Sequence, residues 1–423
     1  MNAVMPWPTL AVAAIALLGC SVAASRSPAD GQDFAQVERG RYLATAADCA
    51  ACHDDPVDHR RFAGGLAIET PFGVVIAPNI TPDRDTGIGA WSDAQFDAVL
   101  RRGRLPDGKR VYPAMPFPYY TKMSAADVRA IRAYLSTVPA VNHRVVSDQL
   151  PFPFSIRASM LVWDALYFSP GQYQSNAAKS ADWNRGAFLV NGPGHCGACH
   201  TPKTLLGGDE ASQELQGDEI QGWFAPDITG SQRTGVGGWS ATDIVEYLQT
   251  GHNRFAAASG PMAEEISNSS SHWSTGDLAD VAAYLKDHGA DSGQQARAEP
   301  AGQPAPDDPR MAAGAAIYGD LCSSCHRSDG AGVPHLIPNL AASSSVASRD
   351  PATLIRVVLL GANSVATAEE PTAPAMPSFA WQLSDAEVAA VTTYIRNTWN
   401  HAAAAVTAGE VHDARTKLLA AGR

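Results

Sequence analysis

The chain is poor in charge. Charged residues make up 17 % of its 423 residues against 45 % apolar, and acids outnumber bases by 12. That balance describes a globular chain, not a disordered one, and the length holds two to four domains. The acidic excess argues against nucleic acid, or an anionic membrane surface, as the main partner. Beyond the N-terminus no segment is apolar for the ~20 residues that a membrane-spanning helix needs. The sequence also lacks a Gly-rich phosphate cradle in a βαβ context, a second metal motif and an arranged nucleophile–base pair. Its carboxylates are scattered and read as solvated faces.

Cysteine is equally scarce, and its placement is informative. Six of the seven cysteines fall in three copies of Cys-x-x-Cys-His: Cys49, Cys52 and His53; Cys196, Cys199 and His200; Cys322, Cys325 and His326. This is the attachment pattern of c-type haem, in which two thiols form thioethers to the porphyrin and the adjacent His reaches the iron. The expectation is three covalently bound haem c.

An internal repeat sets the domains. Ala77-Pro78-Asn79-Ile80-Thr81 recurs as Ala225-Pro226-Asp227-Ile228-Thr229, and Trp91 recurs as Trp239, 148 residues on. A shorter third copy keeps Ile337-Pro338-Asn339-Leu340. Each repeat opens with a helical run holding a glycine (Gly40, Gly186, Gly314). Each closes with a capping pattern (Ser124 to Asp127, Ser274 to Asp277, Ser384 to Glu387) ahead of apolar residues at helical spacing. Those closing helices also carry Tyr134, Tyr284 and Tyr394. A glycine on the first helix would let the last cross it closely, with the aromatic at the crossing, and that arrangement resembles the class I cytochrome c fold. The expected organisation is all-α: three class I cytochrome c domains in tandem, at 34–140, 183–289 and 308–407, joined by linkers. Residues 141–182 read as an ordered connecting strap. Residues 290–307, rich in Ala, Gly, Pro, Gln and Asp, read as a flexible linker that leaves the third domain mobile.

A haem iron held by one His has a sixth position to fill, and thioether sulfur there favours the ferrous state. Each repeat offers one methionine just before its closing helix: Met115, Met262 and Met376. The His-to-Met spacing is 62 residues in each of the first two repeats and 50 in the third. Flanking prolines would stiffen an extended loop that presents the sulfur. His252 and His272 are competitors beside Met262, Met123 is the poorer candidate beside Met115, and His195 is placed to tune the second haem. Iron coordinated by His and Met has no vacant site, so no catalytic residue is expected.

At the N-terminus, residues 1–24 read as an export signal, with an apolar run from Thr9 to Gly19. Leu17-Leu18-Gly19-Cys20 resembles a lipoprotein box that would end in a lipidated Cys20. Cleavage after Ala24 is the alternative. Either route delivers the chain to the periplasm.

The chain resembles the three-haem cytochrome c subunits of bacterial membrane-bound dehydrogenases. The matching segments include Ala114-Met115-Pro116-Phe117, Gly194-His195-Cys196-Gly197-Ala198-Cys199-His200, Trp223-Phe224-Ala225-Pro226 and Gly260-Pro261-Met262-Ala263-Glu264. The resemblance implies an electron relay from a dehydrogenase catalytic subunit of flavin, quinone or molybdenum type. Its substrate would be an alcohol, sugar acid, polyol or aldehyde, and its acceptor membrane ubiquinone or a terminal oxidase. It implies a location peripheral on the cytoplasmic membrane, held by lipidated Cys20 or by the partner, without nucleic acid. The alternatives are a multihaem peroxidase-like enzyme, which needs one five-coordinate haem, and an oxidase-associated cytochrome subunit.

Overall fold

A computed structural model describes residue 1 and residues 33–146, 148–232, 234–290, 302–305 and 307–420. The expected export signal with Cys20, and most of the expected linker, lie outside the described residues.

Three helix pairs organise the chain: Phe34–Ala46 on Ala125–Leu135, Ala181–Asn191 on Thr275–Asp287, and Pro309–Ile317 on Asp385–Ile395. Each pair crosses at its glycine. A Cβ at Gly40 would lie 1.9 Å from the Ala130 carbonyl oxygen, one at Gly186 1.9 Å from that of Asp280, and one at Gly314 2.3 Å from that of Ala390. Tyr284 and Tyr394 close the second and third crossings. Leu43, Val128, Ile131 and Leu135 fill the first core, Leu189, Leu278, Val281 and Leu285 the second, and Val388, Val391 and Ile395 lie in the third. Each such fully buried side chain stabilises the fold by about 1.5–3 kcal/mol.

The closing helices start where their serines predict. Ser124 and Ser384 form reciprocal capping boxes with Asp127 and Glu387, and Ser274 accepts from the Asp277 backbone N–H. Two further helices, Asp93–Arg102 and Ala241–Thr250, carry the same boxes at Ser92 and Ser240. The expectation of an all-helical chain needs one addition. Three short antiparallel hairpins are present, Ala67–Thr70 with Gly73–Ile76, Asp218–Ile220 with Trp223–Ala225, and Ala362–Asn363 with Ala375–Met376. Strands of two to four residues leave no alternating pattern to read.

Residues 141–182 run from the first pair to the second. Gln149 bridges Val74, Trp163 of the helix Met160–Tyr167 is buried against Phe117, and the Tyr173 N–H donates to the Lys122 carbonyl at 3.0 Å.

The third unit is docked, where the linker composition suggested mobility. The Phe224 N–H donates to Thr353 Oγ1 at 2.6 Å, the Asn339 N–H to the Phe255 carbonyl at 3.1 Å, and Ser259 bridges Ser364. The third unit also runs past its expected end at residue 407. The helix Ala408–Ala420 buries Val411 and Leu418 on the preceding helices, and Arg415 pairs with Asp385 at 2.7 Å. A mixed-charge sequence concealed that apolar seam.

Candidate haem sites

Each Cys-x-x-Cys-His sequence forms a short helical turn, over Cys49–His53, Gly197–His200 and Ser323–His326. All six thiols are free. Burial pushes Cys49, Cys52 and Cys196 up to about 12 and Cys322 to about 11, and raises Cys199, so these five thiols are neutral.

The three histidines share one restraint. Nδ1–H of His53 donates to the Pro78 carbonyl at 2.7 Å, that of His200 to Pro226 at 2.7 Å, and that of His326 to Pro338 at 3.2 Å. A carbonyl can only accept, so the proton sits on Nδ1 and the Nε2 lone pair is left for a metal. Burial lowers all three ring pKa values, which keeps the rings neutral and able to ligate. Sequence reading found these prolines as repeat markers but missed their role.

It also missed a glycine. The N–H groups of Gly64, Gly217 and Gly332 donate to the carbonyls of His53, His200 and His326 at 2.6, 2.7 and 3.2 Å. Their φ values are +74°, +85° and +60°, and a Cβ on any of them would lie within 2.6 Å of the backbone at or just before the proline that accepts from the histidine. Only glycine closes this loop without strain. One backbone clasp thus fixes the motif histidine from both its ring and its carbonyl, three times over. The signal was a glycine between each motif and its proline, hidden among 36 glycines.

The methionines fall in three settings. Met115 packs on the first core, as Cys49 and Trp91 also do, whereas Met123 is fully buried in that core as filler. Met376 lies on the strand Ala375–Met376 against the third core. Met262 was expected on an extended loop. It sits instead in the first turn of the helix Pro261–Asn268, because Pro261 occupies the first helical position, where proline is favoured. Met262 packs with Ala258, Ile266 and Val365. Of its competitors, His272 Nε2 contacts the Ser267 carbonyl at 3.1 Å. His252 is fully buried where the third unit packs on the second, and neither ring nitrogen has a hydrogen-bond partner. His195 is held by the Pro193 carbonyl and by the Tyr120 ring.

The thiols, the Nε2 lone pairs and the triple clasp suit covalently attached haem. Comparison with known proteins agrees. Residues 37–139 and 311–399 match the cytochrome c family. The chain is 37 % identical to the fructose dehydrogenase cytochrome subunit of Gluconobacter japonicus, over 90 % of this chain and 82 % of that one. It is 38 % identical to the gluconate 2-dehydrogenase cytochrome c subunit of Pantoea cypripedii, over 91 % of each. With the cytochrome c subunit of a quinone alcohol dehydrogenase from Gluconobacter oxydans it shares 36 %, over 96 % of this chain and 87 % of that one. The chain belongs to the family of dehydrogenase cytochrome c subunits. It is an electron-transfer subunit and not a catalytic one.

In this cytochrome subunit the first two sites adjoin. Tyr120 donates to the Ala47 carbonyl at 2.7 Å, ahead of the first motif, and its ring packs edge-on against His195, ahead of the second. Between them lie two carboxyl groups that were expected on solvated faces. Burial pushes Asp48 up to about 8 and Glu265 to about 7, and the Glu265 charge adds to the rise at Asp48. Asp48 Oδ1 is buried without a hydrogen-bond partner. Trp223 spans the second and third sites. Its ring covers Gly260 and lines a cavity of about 270 Å³ with Met376.

Proposed function

We propose that the chain carries three covalently bound haem c groups, in three tandem class I cytochrome c domains, and passes electrons from a dehydrogenase catalytic subunit to membrane ubiquinone or a terminal oxidase. The attaching pairs are Cys49 and Cys52, Cys196 and Cys199, and Cys322 and Cys325. The axial pairs are His53 with Met115, His200 with Met262, and His326 with Met376. Haem iron at each would supply a one-electron couple. The protein's part is to hold each histidine neutral and oriented, to exclude water, and to keep neighbouring sites in contact. The observation that carries this reading is the threefold clasp, because a histidine with Nδ1 committed to a carbonyl is built as a ligand and not as an acid–base catalyst. The periplasm, with peripheral attachment to the cytoplasmic membrane through Cys20 or the partner, is the location that fits an exported chain with no helix among its described residues long and apolar enough to cross a membrane.

A pyridine haemochrome count and an EPR spectrum of the purified protein test it. Three haems per chain, all low-spin, are expected, and Met376→His should convert one of them to a bis-histidine spectrum. A haem count of two would overturn the triple assignment. A high-spin fraction that binds carbon monoxide would remove one methionine from the ligand set and reopen the peroxidase-like reading.

A further inference from the structure

The strap turns an uncharged face outward. Residues 150–168 contain only two charged side chains, Arg157 and Asp164. Both are paired with a charge of opposite sign. Arg157 pairs with Asp148 and donates to the Arg110 carbonyl at 2.8 Å, while Asp164 lies 3.1 Å from the Arg110 guanidinium. What remains outside is apolar. Phe152, Leu161, Val162 and Leu166 are 80, 55, 64 and 59 % exposed, and Leu205 and Leu206 of the neighbouring loop 98 and 52 %. These residues form one patch. Trp163 Nε1 donates to the Leu206 carbonyl at 3.0 Å, Gly208 lies on the Tyr167 ring, and Phe72, beside Gly207, packs on Phe154 with centroids 5.0 Å apart.

We propose that this face is a lipid-docking surface that lays the chain on a bilayer. A protein partner's surface would carry a polar rim with hydrogen-bonding groups at regular intervals. Here the nearby charges are already committed to one another, Arg157 to Asp148, Asp164 to Arg110 and Lys203 to Asp209, which leaves few free groups for such a rim. An apolar helical face with aromatics at its margin is the pattern of an interfacial segment. The acidic excess of the chain makes the attraction apolar and not electrostatic, so neutral lipid suffices. Position supports the same occupant. Tyr112, three residues before Met115, donates to the Phe154 carbonyl at 2.9 Å, and Leu205 follows His200 by five residues. The patch therefore borders the first two haem segments, where a lipid-soluble acceptor would have to approach. This last argument rests on the proposed relay; the surface chemistry does not.

The test is co-sedimentation of the full haem-loaded chain with quinone-free phosphatidylcholine vesicles. A Cys20→Ala background ensures that no acyl chain accounts for binding. The parent is expected to sediment. The Leu161→Gln/Val162→Gln/Leu166→Gln variant, altered only at exposed positions, should lose partitioning by roughly tenfold or more, whereas Trp381→Gln on the third unit should not. A parent that stays in solution overturns the proposal, as does equal binding by the triple variant or equal loss from Trp381→Gln. A parent dimer that the triple variant dissolves, without vesicle binding, would assign the face to a second copy. Loss of the catalytic subunit with vesicle binding intact would assign it to that subunit. The readout is mass and not redox, so failure here leaves the relay standing, and failure of the relay leaves this result standing.

Discussion

Gly186→Ala should cost this protein far more than one methyl group suggests. The added Cβ would lie 1.9 Å from the Asp280 carbonyl oxygen, 2.5 Å from its carbon and 3.0 Å from Tyr284 Cβ. Real Cβ contacts essentially never fall under 3.0 Å, so the crossing must open by at least 1.1 Å. The obstructing atoms are backbone inside the helix Thr275–Asp287 and cannot rotate away. Overpacking of this kind costs about 3 kcal/mol, and the better helix propensity of alanine returns about 1. The net loss of about 2 kcal/mol corresponds to a fall in midpoint temperature on the order of 10 °C for a unit of this size. The helix that moves ends just before Cys196, so haem loading at the second site should fall as well. Gly319→Ala is the control, because a Cβ there meets nothing within 4 Å. Thermal unfolding of the haem-loaded variants by circular dichroism decides between them. If Gly186→Ala and Gly319→Ala melt together, the close-crossing argument is wrong for all three units.

Gly217→Ala should lower the pyridine haemochrome count by one haem per chain, since φ is +85° and a Cβ would lie 2.6 Å from the Ala225 carbonyl oxygen, breaking the His200 clasp. Asp243→Asn tests an acid-sensitive pair. Hydrogen bonds from Arg254 and Ser240 hold Asp243 at about 2, below its ordinary value near 3.8, so its contribution is full above pH 4 and vanishes as pH falls through about 2. Because Arg254 is more than half exposed, the loss at pH 7 should be only about 1 kcal/mol, and the acid-unfolding curve of the variant should be flatter between pH 4 and 2. Tyr42→Phe removes the hydroxyl that donates to Asp277 Oδ2 at 2.5 Å and accepts from the Ser274 N–H at 3.2 Å. Urea unfolding should show a loss of about 1–2 kcal/mol, concentrated in the coupling of the first two units.

What could be read in advance was local. A serine and an acid three residues apart fix a helix start whatever the tertiary fold, so Ser124, Ser274 and Ser384 were legible. The three Cys-x-x-Cys-His turns could be picked out as candidates because haem attachment needs two thiols and a histidine in one turn. The crossing glycines were legible because their position recurs ahead of each motif. The clasp was not, since Gly64 reaches His53 only after the chain between them has folded back. Nor were Asp48 and Glu265, because nothing in a sequence separates a carboxyl between two units from one facing water. The Met262 loop was misjudged for a nearer reason. Proline breaks a helix interior but favours the first helical position, which is where Pro261 stands.

The third unit shows why its boundary was misread. In the first two units the arginine just before the crossing glycine, Arg39 or Arg185, pairs with the capping aspartate of the closing helix, Asp127 or Asp277. Those aspartates are shielded from solvent, and a shielded carboxylate without a cation would be costly. In the third unit Ala313 stands before Gly314, so the first helix offers no guanidinium there. The closing helix carries Asp385 at its first position, and Arg415 from the helix Ala408–Ala420 reaches it at 2.7 Å while donating to the Ala380 and Leu383 carbonyls at 2.8 Å. The capping acid here, Glu387, is exposed and does not need a cation from the first helix, whereas the Arg415 contact is made to a different residue of the closing helix. A helix that supplies this cation and buries Val411 and Leu418 is part of the third unit's fold. A repeat-based boundary drawn at residue 407 cuts off a segment that carries part of that unit's buried core and its Arg415–Asp385 pair.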